Sequence, residues 1–130
     1  MGFEAPIKTQ VTAAIWTTQI AAGTDDTLYW VCKLDGNYLV ESATYVPNST
    51  SATNGTDYQI LTVTNDTQSR TIASKDTSAA SWTAGTPVAL TLGTGKTLEI
   101  ASGEVVKVAM THAGAGKVWR GKIILVLRQF

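Results

Sequence analysis

The sequence is poor in the residues that build covalent cross-links and metal sites. Its 130 residues include one cysteine, Cys32, and one histidine, His112. A single cysteine excludes an intramolecular disulfide and every site that needs two or more thiolates. Cys32 follows the apolar run Leu28–Val31, and we expect it to be a buried structural residue. A chain of this length buries roughly two thirds of its unfolded surface, so one domain can fold without such cross-links.

Charge is also scarce and evenly balanced. Ten basic and ten acidic residues leave a formal net charge of zero, and charged residues make up 15% of the chain. No run of Lys or Arg forms the clustered basic face that is typical of nucleic-acid binding. No stretch approaches the roughly 20 apolar residues of a transmembrane helix, and the first residues, including Pro6, match neither a secretory signal nor a myristoylation site. We therefore expect a protein made in the cytoplasm, with no nucleic-acid or membrane partner.

The motifs of common enzymes are missing as well. His112 precedes the small-residue stretch Ala113–Gly116, and no Ser lies in a Gly-x-Ser-x-Gly context. Gly93–Thr97 looks like the end of a phosphate-binding loop, but Leu90 occupies the position of the first glycine, and the residues that follow predict a strand instead of a helix. The acidic pair Asp25–Asp26 lacks the spaced oxygen ligands of a calcium loop. We expect no catalytic, cofactor-binding or metal-binding residues.

The strongest positive signal in the sequence is β propensity. Thr, Val and Ile are frequent, and Gly, Asn, Asp and Ser fall between short apolar runs, as in chains of many strands joined by turns. Asp35–Gly36 favours a tight hairpin turn, and Pro47–Gly55 is expected to be an exposed loop. The predicted strands, about eight in number, are Thr27–Leu34, Asn37–Val46, Tyr58–Thr64, Ser69–Ser74, Thr86–Leu92, Thr97–Ala101, Glu104–Thr111 and Val118–Phe130. Their spacing predicts an all-β fold, a two-sheet β-sandwich of Greek-key or jelly-roll type.

The first 26 residues differ from the rest of the chain. Four apolar residues recur there at intervals of four, four and five, namely Ile7, Val11, Ile15 and Ile20. This pattern is ambiguous between a weak helix and extended chain, and the many Thr residues disfavour a stable helix. Two interpretations of residues 1–26 stay open: an arm whose order depends on a partner, and an edge strand of the sandwich. Residues 27–130 are predicted to form the β-sandwich domain.

Tryptophan is unusually frequent for a chain of this size. Its four positions are Trp16, Trp30, Trp82 and Trp119. Trp30 lies in the middle of a predicted strand and is expected in the core, whereas the other three adjoin loops or the N-terminal segment. Exposed aromatic side chains serve protein interfaces or stack on sugars. Core packing, a protein interface and carbohydrate binding therefore stay open for these three.

Several short segments carry a resemblance to a known family. They are Gly55–Tyr58 ahead of Leu61–Val63, then Thr83–Leu92, Ala101–Val108, Gly114–Gly116 and Arg120–Gly121. These segments resemble the small β-rich structural proteins encoded among the head genes of tailed phages. The resemblance implies a capsid decoration or cement protein, often trimeric, that is seated on the capsid lattice and sometimes anchored by a terminal arm. It implies no catalytic residue.

These observations together predict a non-enzymatic virion structural protein that decorates or cements a phage capsid by binding the major capsid protein. We expect a homo-oligomer on the capsid surface, and the resemblance favours a trimer. The candidate partner-binding residues are Phe3, Ile7, Val11, Ile15, Trp16, Trp82 and Trp119. The alternative is a carbohydrate- or receptor-binding module of a phage fibre or tail, with Trp82 or Trp119 exposed beside a polar groove. An enzyme would need a pocket that gathers His112 with acidic residues, and the sequence gives no reason to expect one.

Overall fold

A computed structural model of the protein describes residues 10–16, 21–116 and 119–130. Ten β-strands and one four-residue 3-10 helix, Gly95–Leu98, lie within these ranges. The strands are β1 (Gln10–Trp16), β2 (Asp26–Val31), β3 (Asn37–Pro47), β4 (Tyr58–Asn65), β5 (Arg70–Asp76), β6 (Val88–Ala89), β7 (Thr91–Leu92), β8 (Glu99–Ala101), β9 (Val105–Ala113) and β10 (Gly121–Gln129). None of the described residues belongs to a helix that is long and apolar enough to cross a membrane.

The strands form two antiparallel sheets of five strands each. In sheet 1 the order is β1-β10-β3-β6, and β8 also pairs with β3; in sheet 2 the order is β2-β9-β4-β5-β7. The first four strands pair with later strands in reverse order, β1 with β10, β2 with β9, β3 with β8 and β4 with β5. This folded-ribbon pairing defines a jelly roll. The predicted two-sheet sandwich is confirmed.

The hydrophobic core lies between the sheets and follows the alternation along the strands. In β10, Ile123, Leu125 and Leu127 are fully buried, while the residues between them are only partly buried. Strands β4 and β9 alternate in the same way. Successive side chains of a strand point to opposite faces, so one face of each sheet packs inward and the other faces outward. Cys32 is fully buried, as predicted.

Strand β1 occupies the edge of sheet 1. Each of its residues pairs with β10, from Gln10 opposite Arg128 to Trp16 opposite Lys122. Ala13 is buried in the core. Gln10–Trp16 is therefore an edge strand, one of the two interpretations that the sequence left open for residues 1–26. In the folded ribbon the β1–β10 pair is followed by the β2–β9 pair, so the edge strands β1 and β2 lie on the same side of the jelly roll. We call this side the β1–β2 side.

Two predicted strands take a different form. Thr86–Leu92 splits into β6, which pairs with β3 in sheet 1, and β7, which pairs with β5 in sheet 2. The split arises because the chain crosses from one sheet to the other at Leu90, which is buried and donates its N–H to the Ala43 carbonyl at 2.9 Å. The strand predicted at Thr97–Ala101 is shorter, since the 3-10 helix occupies Gly95–Leu98.

Candidate functional site

The side chains of Trp82 and Trp119 lie in the core. Each is only 2% exposed. Both pack against Tyr45 of β3, with ring centroids 5.2 Å and 5.9 Å from the tyrosine ring, respectively. Trp82 is held in place by a two-way backbone bridge with Ser51, whose N–H donates to the Trp82 carbonyl at 2.8 Å. Neither indole is presented to a partner.

The remaining predicted partner-binding residues lie on or before β1. Val11 and Ile15 are partly buried and pack against the core. Trp16 is the last residue of β1. The structure describes its backbone but not its side chain. Phe3 and Ile7 also lie outside the described residues.

The large exposed apolar side chains of the β1–β2 side belong to β2. Tyr29 is 63% exposed and Val31 is 42% exposed. Together with Trp30, Lys33 and Leu34 they line an open groove of about 500 Å³. We call these five residues the β2 patch. The sequence predicted a strand over Thr27–Leu34 with a nearly continuous apolar run; β2 is an edge strand in which every second residue points outward.

Trp30 points inward from the same strand. It is partly buried and packs against the core, which is close to the expected core position. Its remaining exposed surface contributes to the groove of the β2 patch. Unlike Trp82 and Trp119, Trp30 therefore keeps part of its side chain at the surface.

The outer face of sheet 1 is weakly polar near β1. Ile124 and Val126 of β10 and Val46 of β3 face outward and are partly exposed. Two of the charges on this sheet neutralise each other, because Arg128 forms a hydrogen-bonded ion pair with Glu41. The Arg128 guanidinium, together with a hydrogen bond from Gln10, holds the pKa of the Glu41 carboxyl below its usual value. The β1–β2 side therefore adjoins a face of low net charge.

A polar pocket lies at the end of the sandwich where β3 begins and β10 ends. Its volume is about 210 Å³. The residues that line it come from four separate stretches of the chain: Asn37, Gln68, Arg70, Glu99, Ile100, Ala101, Glu104 and Phe130. We call it the β8–β9 pocket. Sequence reasoning missed it because no local motif links residues that only the jelly-roll pairing brings together.

His112 contacts an acidic side chain near the surface. Its Nδ1 lies 2.6 Å from Oδ1 of Asp25, which ties the loop before β2 to the end of β9. Nearby, Asp57 Oδ1 accepts the Ala115 N–H at 2.6 Å. Within residues 10–16, 21–116 and 119–130, no three His, Cys, Asp or Glu side chains come together as a metal site. The two contacts fasten the end of β9 and the residues that follow it to neighbouring loops.

Comparison with known proteins found no match to a protein-family model, a curated protein sequence or a solved structure. The jelly-roll topology itself is shared by viral capsid domains, lectins and cupins. A fold hosts many functions, so the function has to be argued from the surfaces. The β2 patch and the β8–β9 pocket are the two surfaces on which that argument depends.

Proposed function

We propose that this protein is a non-enzymatic structural protein of a phage virion, which decorates or cements the capsid by binding the major capsid protein. The observation that carries the proposal is the β2 patch, with Tyr29 and Val31 exposed on an edge strand. An exposed apolar edge strand is an open template for pairing with another chain. Covering it with a neighbouring subunit or with the capsid removes that liability.

The chemistry of the β2 patch fits a protein interface. Tyr and Trp are enriched at the centres of interfaces, where they dominate the binding energy, and charged residues are depleted there. Tyr29 and Trp30 are adjacent in β2, and Lys33 is the sole charged member of the patch. The low overall charge of the chain, 15% of residues, suits a subunit that packs closely among identical neighbours.

The resemblance to phage head proteins supports the same function. Ala101–Val108 contains the turn from β8 into β9, where Gly103 adopts a φ of +85°. Thr83–Leu92 contains β6 and β7, the crossing between the sheets. The resembling segments are thus turns and strands that build the sandwich. A rigid domain of this kind binds a lattice tightly when several copies attach together, which favours a homo-oligomer. The number of three copies is what the resemblance implies.

The alternative, a carbohydrate- or receptor-binding module that uses Trp82 or Trp119, loses its premise. Both indoles are in the core, so neither stacks on a glycan in this fold. The enzyme interpretation requires a pocket that gathers His112 with acidic residues. His112 does contact Asp25, but neither residue lines the β2 patch or the β8–β9 pocket.

The test combines light scattering after size-exclusion chromatography with cosedimentation on capsids of the encoding phage. The wild-type protein is expected to be a trimer that pellets with capsids. The double variant Tyr29→Ser, Val31→Thr keeps β2 foldable, and we expect it to lose oligomerisation or capsid binding. The control is Thr71→Ser, an exposed change on β5, which should behave as wild type. A monomer that stays in the supernatant would overturn the proposal.

A further inference from the structure

The β8–β9 pocket has a pre-formed polar wall built around Glu104. Oε1 of this carboxylate accepts the Ala101 N–H at 2.6 Å and the Asn65 amide at 3.2 Å, and Oε2 accepts the Gln68 amide at 2.5 Å. Asn65 is fully buried and also donates to the Glu99 carbonyl at 3.2 Å. These bonds fix the side chains in place without a ligand, which lowers the entropic cost of binding.

Other groups of the pocket keep unused hydrogen-bonding capacity. The side chains of Glu99 and Asn37 make no hydrogen bond to another described residue, although both line the cavity. Arg70 donates one N–H to the Lys96 carbonyl at 3.1 Å, and a guanidinium carries further donors in a planar fork. Acceptors and donors on planar side chains therefore face one small cavity.

An apolar surface completes the pocket. Phe130 is one of the lining residues and is 50% exposed. Its backbone N–H donates to the Asn37 carbonyl at 3.0 Å, which fixes the residue against the start of β3. A half-exposed ring beside polar side chains offers one flat face for C–H groups and leaves the other side of the cavity for hydroxyls.

The charges of the pocket select among ligand classes. Two carboxylates, Glu99 and Glu104, outnumber the single guanidinium of Arg70 and disfavour an anion. A neutral ligand with several hydroxyl groups satisfies both kinds of side chain, because each hydroxyl both donates and accepts. The volume, about 210 Å³, is below the range of drug-sized sites and suits one sugar ring.

From this combination we infer that the β8–β9 pocket binds a single neutral sugar residue, with Glu99, Asn37 and Arg70 contacting its hydroxyls and Phe130 stacking on its apolar face. The pocket shares no lining residue with the β2 patch. The two surfaces are neighbours, since the Glu104 carbonyl accepts the Cys32 N–H at 2.9 Å, but the site goes beyond the proposed capsid role because none of its residues belongs to the patch that carries that role.

The test is saturation-transfer NMR with the purified protein and glucose, galactose, mannose and N-acetylglucosamine, with N-acetylneuraminic acid as the anionic comparison. We expect saturable binding of at least one neutral sugar, with a Kd of about 1 mM, and no binding of the anionic sugar. Glu99→Gln and Phe130→Ala should each weaken that binding about tenfold or more. Ala52→Ser, an exposed change in the loop after β3, should leave it unchanged.

Thermal unfolding of each variant shows whether its fold is intact. The inference is overturned if no neutral sugar gives a saturable signal, if the anionic sugar binds more tightly than the neutral ones, or if both folded pocket variants bind as wild type. The Tyr29→Ser, Val31→Thr double variant should still bind the sugar. Loss of capsid binding and loss of sugar binding are therefore separate results, and either proposal can fail alone.

Discussion

The ring of Tyr45 lies with its centroid 5.2 Å from that of Trp82, and the two planes are tilted by 41°. Tyr45 belongs to β3, whereas Trp82 lies in the connection between β5 and β6. Trp119, just before β10, completes the cluster at 6.4 Å from Trp82. Three distant parts of the chain thus meet at one place in the core, and tilted ring pairs at such distances stabilise beyond simple burial.

Truncating Trp82 should strongly destabilise the protein. We expect Trp82→Ala to lower the free energy of unfolding by about 3–5 kcal/mol, because a fully buried indole leaves a cavity beside Tyr45 and Trp119. Urea unfolding followed by circular dichroism measures the change. Trp82→Phe retains a ring and should cost less, and Ala84→Ser, on the exposed part of the same connection, should be near neutral. A midpoint for Trp82→Ala close to that of wild type would show that the ring is not packed as described.

Trp82 also shows where sequence reasoning ends. Its neighbours Ser81 and Thr83 are polar and exposed, so local sequence predicts a surface loop. The residue is buried because its backbone pairs with Ser51, a contact between distant segments. Alternation within a strand is a local property, and it correctly predicted the all-β sandwich and bounds close to those of β3 and β4.

The candidate sites depend on contacts that no local pattern encodes. The apolar run around Tyr29 is typical of a buried strand, and only the pairing order makes β2 an edge. The β8–β9 pocket needs Asn37, Arg70 and Glu104 side by side, yet they are far apart in sequence and have no shared spacing. The split of Thr86–Leu92 has the same cause, since short strands are decided by the sheet that they reach and not by propensity.

The buried hydroxyl of Tyr45 should make the protein less stable at alkaline pH. It is buried and has no hydrogen-bond partner among the described residues, and desolvation by burial raises the pKa of Tyr45 well above its usual value. The unfolded chain releases this proton near pH 10, while the folded protein keeps it. The folded state then binds more protons than the unfolded state, so stability is intact below pH 10 and falls as pH rises above it.

Tyr45→Phe isolates this effect. At neutral pH the variant should be as stable as wild type or more stable by about 1 kcal/mol, because an unpaired buried hydroxyl is removed without a change of shape. Between pH 8 and pH 11 wild type should lose about 1.4 kcal/mol relative to the variant. Urea unfolding of both proteins across that range measures the difference. Parallel curves for the two proteins would contradict the assignment.

Substituting two glycines that share the same φ angle distinguishes backbone strain from steric overlap. Gly95 and Gly114 both have a φ of +58°. An added Cβ at Gly95 meets nothing within 4 Å, whereas at Gly114 it would overlap Asp57 Oδ1 and lie 2.5 Å from the Thr56 carbonyl oxygen. Gly95→Ala should therefore cost only the left-handed backbone penalty, about 1 kcal/mol.

Gly114→Ala adds steric overlap to that same penalty. We expect it to cost about 1–3 kcal/mol more than Gly95→Ala, since the Thr56 backbone has to shift and the bond from Ala115 N–H to Asp57 is strained. Thermal unfolding of the two variants side by side gives the comparison. Equal losses would mean that the loop around Gly114 adapts freely.

Removing the charge of Glu104 should lower the stability of the protein, and the size of the loss should depend on pH. Burial alone raises the pKa of Glu104, but the hydrogen bonds from Ala101, Gln68 and Asn65 and the charge of Arg70 outweigh it and hold the pKa below its usual value. A carboxyl with a lowered folded pKa stabilises the protein above its unfolded pKa, near 4.3. That stabilisation is lost as pH falls through the lower, folded value.

Glu104→Gln places an amide N–H₂ where a carboxylate oxygen accepts a hydrogen bond, so one donor of the Glu104 network is left without an acceptor. We expect a loss of about 1–3 kcal/mol at pH 7, shrinking as the pH is lowered from 5 to 3 because the wild-type carboxyl becomes protonated there. Glu99→Gln is the matched control, since it makes the same change two residues before Ala101. The Glu99 carboxylate accepts no hydrogen bond from another described residue, so this variant should lose less stability. Urea unfolding at each pH measures both, and a loss for Glu104→Gln that matches the control or stays constant with pH would show that the carboxylate does not organise this turn.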